Sequence, residues 1–203
     1  MHLKEACIES YAEGLSAQKA GADRIELCEN LAMGGTTPSF GTIKICVEQL
    51  TIPTFVMIRP RGGDFRYTQA ELEIMKADID VCKQLNVPAV VFGLLTKKGK
   101  IDELNTKMLV ERARPMQVTF HKAFDELSDP LKGIETLIQL GVDRILTSGT
   151  KSTAIEGVPI LNQLIEKANG RITIVAAGKV TKDNLYSLNQ LIHTNEFHGK
   201  KIV

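Results

Sequence analysis

The amino-acid sequence predicts an α/β protein: one compact (β/α)8 TIM barrel over residues 1–203, with its eighth outer helix missing. Three observations carry this prediction. Short β-rich runs alternate with longer helical patterns along the chain, as a parallel sheet with crossover helices requires. Eight such runs occur, with no Pro/Ser-rich linker or low-complexity tract dividing them. The pentad Gly21-Ala22-Asp23-Arg24-Ile25 returns four units later as Gly141-Val142-Asp143-Arg144-Ile145, as a duplicated half-barrel should show.

The strands are expected at Leu3–Ile8, Arg24–Cys28, Pro53–Ile58, Ala89–Leu94, Gln117–His121, Arg144–Thr147, Arg171–Ala176 and Glu196–His198. Helical patterns lie between them, at Tyr11–Ala20, Phe40–Leu50, Gln69–Leu85, Glu103–Ala113, Pro130–Leu140, Gly157–Ala168 and Lys182–His193. In each copy of the repeat the Gly reads as a helix C-cap. The Asp and Arg open the following strand, at the stability end of a barrel, so Asp23, Arg24, Asp143 and Arg144 are expected to be structural. At roughly 25 residues per β/α unit the barrel is smaller than the usual ~250-residue form. Gly199 to Val203 are too few for an outer helix, so the outer faces of the last and first strands are expected to lack a cover. Exposed apolar surface of that kind marks a partner site, which predicts a homodimer or higher homo-oligomer.

Composition narrows the function classes. With 25 Lys+Arg against 24 Asp+Glu, the net charge of +1 supplies no field for nucleic acid or an anionic membrane surface. The N-terminus lacks the apolar stretch of a signal peptide, and the longest apolar run, Val87 to Leu95, is too short to cross a bilayer. A cytoplasmic protein is the expectation. Four cysteines at irregular spacings, with no Cys-x-x-Cys pair, support neither a disulfide framework nor a zinc ribbon.

Two of those cysteines belong to helical stripes. Leu72, Met75, Ile79, Cys82 and Leu85 share one face, as do Ile43, Cys46, Val47 and Leu50. Cys46 and Cys82 therefore read as small buried hydrophobes.

Reacting groups in such barrels come from the C-terminal ends of the strands. There the sequence places Glu5 and Cys7, Glu26 and Cys28, Arg59, Arg61 and Asp64, then His121, Ser148, Lys179 and His198. Alternate residues of a strand share a face, so if Glu5 and Glu26 point into the mouth, Cys7 and Cys28 do too, from neighbouring strands ~4.8 Å apart. Those thiols are either a functional pair or simple filling of a tapering barrel. Arg59 and Arg61, beside Gly62-Gly63, could clamp an anion or pair internally with Glu5, Glu26 or Asp64. His121 could be a general base, a metal ligand or a buried histidine fixed by a neighbour. The segments Ala176-Ala177-Gly178-Lys179 and Gly199-Lys200-Lys201 fall where many barrels bind phosphate.

Several blocks together resemble one known family. Gly21-Ala22-Asp23-Arg24-Ile25-Glu26-Leu27-Cys28, Gly34-Gly35-Thr36-Thr37-Pro38-Ser39 and Ile58-Arg59-Pro60-Arg61-Gly62-Gly63-Asp64-Phe65 are similar to the CutC family. So are Val118-Thr119-Phe120-His121-Lys122-Ala123-Phe124-Asp125 and Leu146-Thr147-Ser148-Gly149, and the likeness runs along essentially the whole chain. The resemblance implies a cytoplasmic, homo-oligomeric TIM-barrel protein of copper homeostasis. It also implies Cu(I) bound by two cysteines, which fall on Cys7 and Cys28. Many members continue well past the eighth strand, and members usually carry a more glycine-rich turn where this chain has Lys179.

Two readings from different classes follow. One is a copper-handling protein using Cys7 and Cys28, since thiolate and Cu(I) are both soft. Zinc is disfavoured there because no third and fourth ligand stands at structural-zinc spacing. The other is an enzyme acting on a small anionic, possibly phosphorylated, metabolite. In that case Glu5, Glu26 or His121 are the acid/base groups, and Arg59, Arg61 and Lys179 bind the anion. Under either reading, Glu5, Glu26, Arg59 and His121 are expected to converge at the mouth, with Asp23 and Asp143 at the opposite end.

Overall fold

A computed structural model describes residues 2–203. Eight parallel strands close into one barrel in sequence order: β1 (Leu3–Ile8), β2 (Arg24–Leu27), β3 (Thr54–Met57), β4 (Ala89–Phe92), β5 (Gln117–Phe120), β6 (Arg144–Thr147), β7 (Thr173–Ala176) and β8 (Glu196–Gly199). The outer ring holds α1 (Tyr11–Lys19), α2 (Phe40–Gln49), α3 (Gln69–Gln84), α4 (Glu103–Ala113), α5 (Pro130–Gln139), α6 (Ala154–Ala168) and α7 (Lys182–Leu191). Short 3-10 turns at Leu31–Met33 and Lys122–Glu126, which the sequence pattern does not announce, follow β2 and β5.

Helix starts are fixed by side-chain caps. Ser10, Ser39, Thr68, Asp102, Asp129 and Thr153 each accept a backbone N–H from the first turn of the helix they open. This moves α6 three residues upstream of its expected start at Gly157. Thr153 caps Glu156 N–H, and Glu156 Oε2 accepts Thr153 N–H at 3.0 Å, a reciprocal capping box that begins the helix at Ala154. The end of α7 is set from outside: Asn162 donates to Leu191 O at 2.8 Å and accepts His193 N–H at 3.0 Å.

The two copies of the repeat do the same work at equivalent places. Gly21 and Gly141 both have positive φ, 89° and 78°. Asp23 Oδ2 accepts Lys4 N–H of β1 at 2.8 Å, and Asp143 Oδ2 accepts Val118 N–H of β5 at 2.7 Å. Each aspartate ties the start of its own strand to the strand before it, at the end opposite the mouth. Their arginines point inward instead of outward and become part of the barrel's filling.

Pleat parity separates two apolar regions. Outward residues such as Ile25, Val56, Phe92, Phe120 and Phe197 join the large core under the helices. Inward residues form smaller clusters, Cys7, Cys28, Phe55, Met57, Ala89 and Val91 on one side and Leu146, Val175 and Ala177 on the other. The expected gap lies between α7 and α1. There the last residues run alongside the barrel, Lys201 bridging to Thr181 and Ile202 buried in the main core. A cavity of about 240 Å³ remains, lined in part by Lys4, Ala20, Leu185, Tyr186 and Ile202.

Backbone approaches backbone where the β6–α6 and β7–α7 loops meet. A Cβ on Gly157 would lie 1.9 Å from Ser148 O, and one on Gly178 would lie 2.7 Å from Ser148 Cβ. Alanine normally stabilises a helix interior over glycine, so the sign is diagnostic here. Gly157→Ala should lower stability by about 1–3 kcal/mol through overpacking. Gly41→Ala in α2, whose added Cβ meets nothing within 4 Å, should instead raise it by about 0.5–1 kcal/mol. Urea unfolding of both variants checks the pair.

Candidate functional site

Barrel closure sets β8, β1 and β2 side by side. Register puts Glu5 level with Arg24 on one neighbour and His198 on the other, and Cys7 level with Glu26. Deepest in this sector lie charges. Arg24 Nε donates to Glu5 Oε2 at 2.5 Å and Arg24 Nη2 to Glu196 Oε2 at 2.7 Å, while Arg144 Nε reaches the same Glu196 oxygen at 3.2 Å. Both guanidinium groups lie over the Phe55 ring, at 4.5 Å and 5.3 Å.

His198 stands above that layer. Its Nδ1 is 2.7 Å from Glu5 Oε1 and its Nε2 is 3.6 Å from Glu26 Oε2. Cys7 Sγ, a Glu26 carboxylate oxygen and a His198 ring nitrogen all lie within 4.8 Å of one another. The Cys28 thiol donates to Glu26 Oε2 at 3.7 Å and lies beside the Cys7 thiol.

The electrostatics follow from these neighbours. Burial alone would raise Glu5, but the His198 hydrogen bond and the Arg24 charge bring its carboxyl down to about 2. Cys7 is held well below the usual thiol range, first by the hydrogen bond it accepts from Cys28 and then, against burial, by His198. Cys28 is pushed up by donating that hydrogen bond and by burial. Burial also raises Glu26 well above the usual carboxylate range, and His198 is raised, against burial, by Glu26, Cys7 and Glu5. The neighbours thus push Cys7 toward the thiolate and His198 toward the imidazolium, while Glu26 and Cys28 are pushed toward their protonated forms. Cys46 and Cys82 differ completely: burial raises them to about 11 and about 12, as inert core thiols.

Above this floor opens a mouth cavity of about 650 Å³. Cys7, Glu26, Cys28, His121, His198 and Lys179 are among the residues that line it. The expected convergence holds for Glu26 and His121. It fails for Glu5, which lies one pleat below Cys7 and is locked between Arg24 and His198, out of reach of a ligand.

It fails for Arg59 as well. The Arg59 guanidinium donates to the carbonyls of Met33, Gly35 and Gly63 at 3.1, 2.9 and 2.6 Å, and stacks on Phe65. It ties the loops after β2 and β3 together. Arg61 is held by Glu71 at 2.6 Å and Asp64 at 3.0 Å. The anion clamp read from these two arginines is thus closed by the protein's own acceptors. Lys179 does face the mouth, on a residue with φ of 56°.

His121 takes a different part from the acid/base role read in the sequence. Its Nδ1 accepts Ala123 N–H at 3.2 Å, and burial with the nearby Arg59 charge lowers its pKa to about 3. The ring is neutral at physiological pH with its proton on Nε2. It can donate a hydrogen bond but has no free basic nitrogen.

Two further features escape sequence reasoning. Asp125 accepts Ser148 N–H and Thr150 N–H, at 3.1 and 2.9 Å, and the Thr147 hydroxyl, while pairing with Lys122 at 2.8 Å. It shapes the loop after β6. His198 is placed among the strand-end groups by the sequence without a role, and only β8–β1 closure reveals that it meets Glu5, Glu26 and Cys7. That closure also removes the argument against zinc, because third and fourth donors come from strands remote in sequence.

The fold and this site define a parallel (β/α)8 barrel with a thiol–imidazole–carboxylate cluster at the floor of its mouth. A family model described as the CutC family matches residues 2–203. The chain belongs to the CutC family. It is 47% identical over 196 residues to the human copper homeostasis protein cutC homolog, covering 97% of this chain and 72% of that protein. It is 45% identical over 198 residues to a CutC family protein of Bacteroides fragilis, covering 97% and 79%. The crystal structure of CutC from Streptococcus agalactiae superposes with a TM-score of 0.95 at 39% identity, covering all of both chains.

Two outcomes test the electrostatics. Unfolded His121 takes its proton near pH 6.5 but the folded ring only near pH 3, so acidification through that window favours the unfolded state. The His121→Gln variant should accordingly lose stability less steeply between those values, measured by urea unfolding across pH. Glu5→Gln leaves Arg24 and His198 short of a buried counter-charge, and should destabilise by about 3 kcal/mol or more at neutral pH.

Proposed function

We propose that this protein handles copper as cargo in the cytoplasm, holding Cu(I) between Cys7 and Cys28 at the floor of the mouth. The carrying observation is that two thiols from adjacent strands meet at the floor of one cavity beside the His198 ring, which favours the thiolate form of Cys7. Cu(I) is a soft cation and thiolate a soft donor, so the pair is chemically matched to it. His198 offers a third donor. Its Nδ1 is fixed by Glu5, which leaves Nε2 toward Cys7 and Glu26, the carboxylate–histidine pattern that orients metal-binding imidazoles. The names of the human and mouse relatives as copper homeostasis protein cutC homologs support the same assignment. Among the described residues no helix is long and apolar enough to cross a membrane.

Self-association belongs to this reading. Sedimentation as a dimer or larger species is the expected result.

Anaerobic competition against a Cu(I) chelator tests the metal site. Cys7→Ser and Cys28→Ser should each weaken Cu(I) at least about tenfold, and Glu5→Gln, which removes the carboxylate that orients His198, by about 10–100-fold. The Cys46→Ser/Cys82→Ser variant should bind like wild type. Equal affinity in all variants removes the site, and Zn(II) outcompeting Cu(I) for the wild-type protein reassigns the metal.

A further inference from the structure

Two buried polar atoms in the mouth have no protein partner, His121 Nε2 and Glu26 Oε1. Both residues line the same cavity. Buried polar groups are nearly always hydrogen-bonded, so an orphan facing a cavity asks for a partner from outside the chain. For His121 the sense is fixed: Nδ1 is occupied by Ala123 N–H, and Nε2–H is a donor. It needs an acceptor, and a cation cannot supply one.

The space in front of these atoms points the same way. About 650 Å³ lies within the ~300–1,000 Å³ range of small-molecule pockets, and far exceeds what a metal ion on the floor fills. Part of the wall is apolar, formed by Leu31, Met57, Leu146 and Val180. The rim is cationic. Lys122, Lys179, Lys200 and Lys201 all border the cavity, and Lys122 is neutralised by Asp125. Among the described residues the other three have no ion-pair partner. Three lysines free of ion pairs at one rim offer an incoming anion positive charge that no side-chain carboxylate already neutralises.

We propose that the mouth is also a binding site for a small organic anion, a carboxylate or phosphate monoester, gripped at its charged end by Lys179, Lys200 and Lys201. An oxygen of the same molecule accepts the His121 Nε2–H hydrogen bond, and its carbon body lies on the apolar wall. The charge recognition that the sequence assigns to Arg59 and Arg61 therefore falls to lysines of the β7 and β8 loops. This site does not rest on copper handling.

The test uses the full chain, metal-free and reduced in the presence of a chelator, so that its outcome is separate from that of the copper site. Glycerol 3-phosphate, 4-methyl-2-oxopentanoate and inorganic phosphate are titrated by calorimetry and by amide chemical shifts. One organic probe should bind saturably at 1:1 and more tightly than inorganic phosphate, with shifts centred on the β7 and β8 loops; the winning probe identifies the head group. Lys179→Gln/Lys200→Gln/Lys201→Gln, all at exposed positions, should weaken that probe at least about tenfold. His121→Gln should weaken it several-fold, while Lys19→Gln on the far face leaves it unchanged. No saturable binding of either organic probe overturns the proposal. So does organic binding no tighter than inorganic phosphate, or full affinity in the triple-lysine variant.

Discussion

A carboxylate enclosed by a barrel wall survives as an anion only if the protein surrounds it with positive charge, and Glu5 meets that demand from both sides. Arg24 comes from β2 and His198 from β8, at 2.5 and 2.7 Å. Because these strands flank β1, the ion network also marks where the barrel closes. Arg24 continues to Glu196, Glu196 to Arg144, and both guanidiniums stack on Phe55. The lower barrel is thus filled by alternating charges around one aromatic ring, instead of the layers of branched aliphatics usual in such barrels. Replacing buried ion pairs by apolar packing is often neutral or stabilising, so their value here is better sought in the groups they position.

What they position is His198. With Nδ1 on an ionised Glu5, the ring is oriented and its pKa is raised, and its Nε2 edge faces Cys7 and Glu26. That ring, together with the neighbouring Cys28 thiol, lowers the Cys7 pKa alone among the four cysteines, while burial raises that of Glu26. The contrast with Cys46 and Cys82 is environmental. All four thiols are buried, but the helical pair sits among hydrocarbon side chains and the strand pair beside the His198 ring and each other.

The mouth divides into two chemistries by depth. Its floor offers soft sulfur and a nitrogen, suited to a metal ion. Its rim offers ammonium groups from loops after β7 and β8 above an apolar wall, suited to an organic anion. Arg59 and Arg61 serve neither, because Arg59 is closed upon carbonyls of its own and a neighbouring loop and Arg61 upon Asp64 and Glu71 of α3.

The sequence by itself determined the barrel. Alternating periodicities, strong cap residues and the repeated Gly-x-Asp-Arg-Ile pentad are local signals, each read within a few residues, and their sum leaves one architecture. Local parity likewise placed Cys7 and Cys28 inward on neighbouring strands and Cys46 and Cys82 on buried helical stripes. Only the tertiary structure decided which charged groups remain available. Arg59 and Glu5 look free in the sequence because their partners, carbonyl oxygens of another loop and a histidine 193 residues away, carry no local signature. His198 gains its meaning only when the last strand meets the first. Hydrogen bonding and ion pairing act over a few ångströms of space regardless of separation along the chain, so the identity of each partner waits on closure of the barrel.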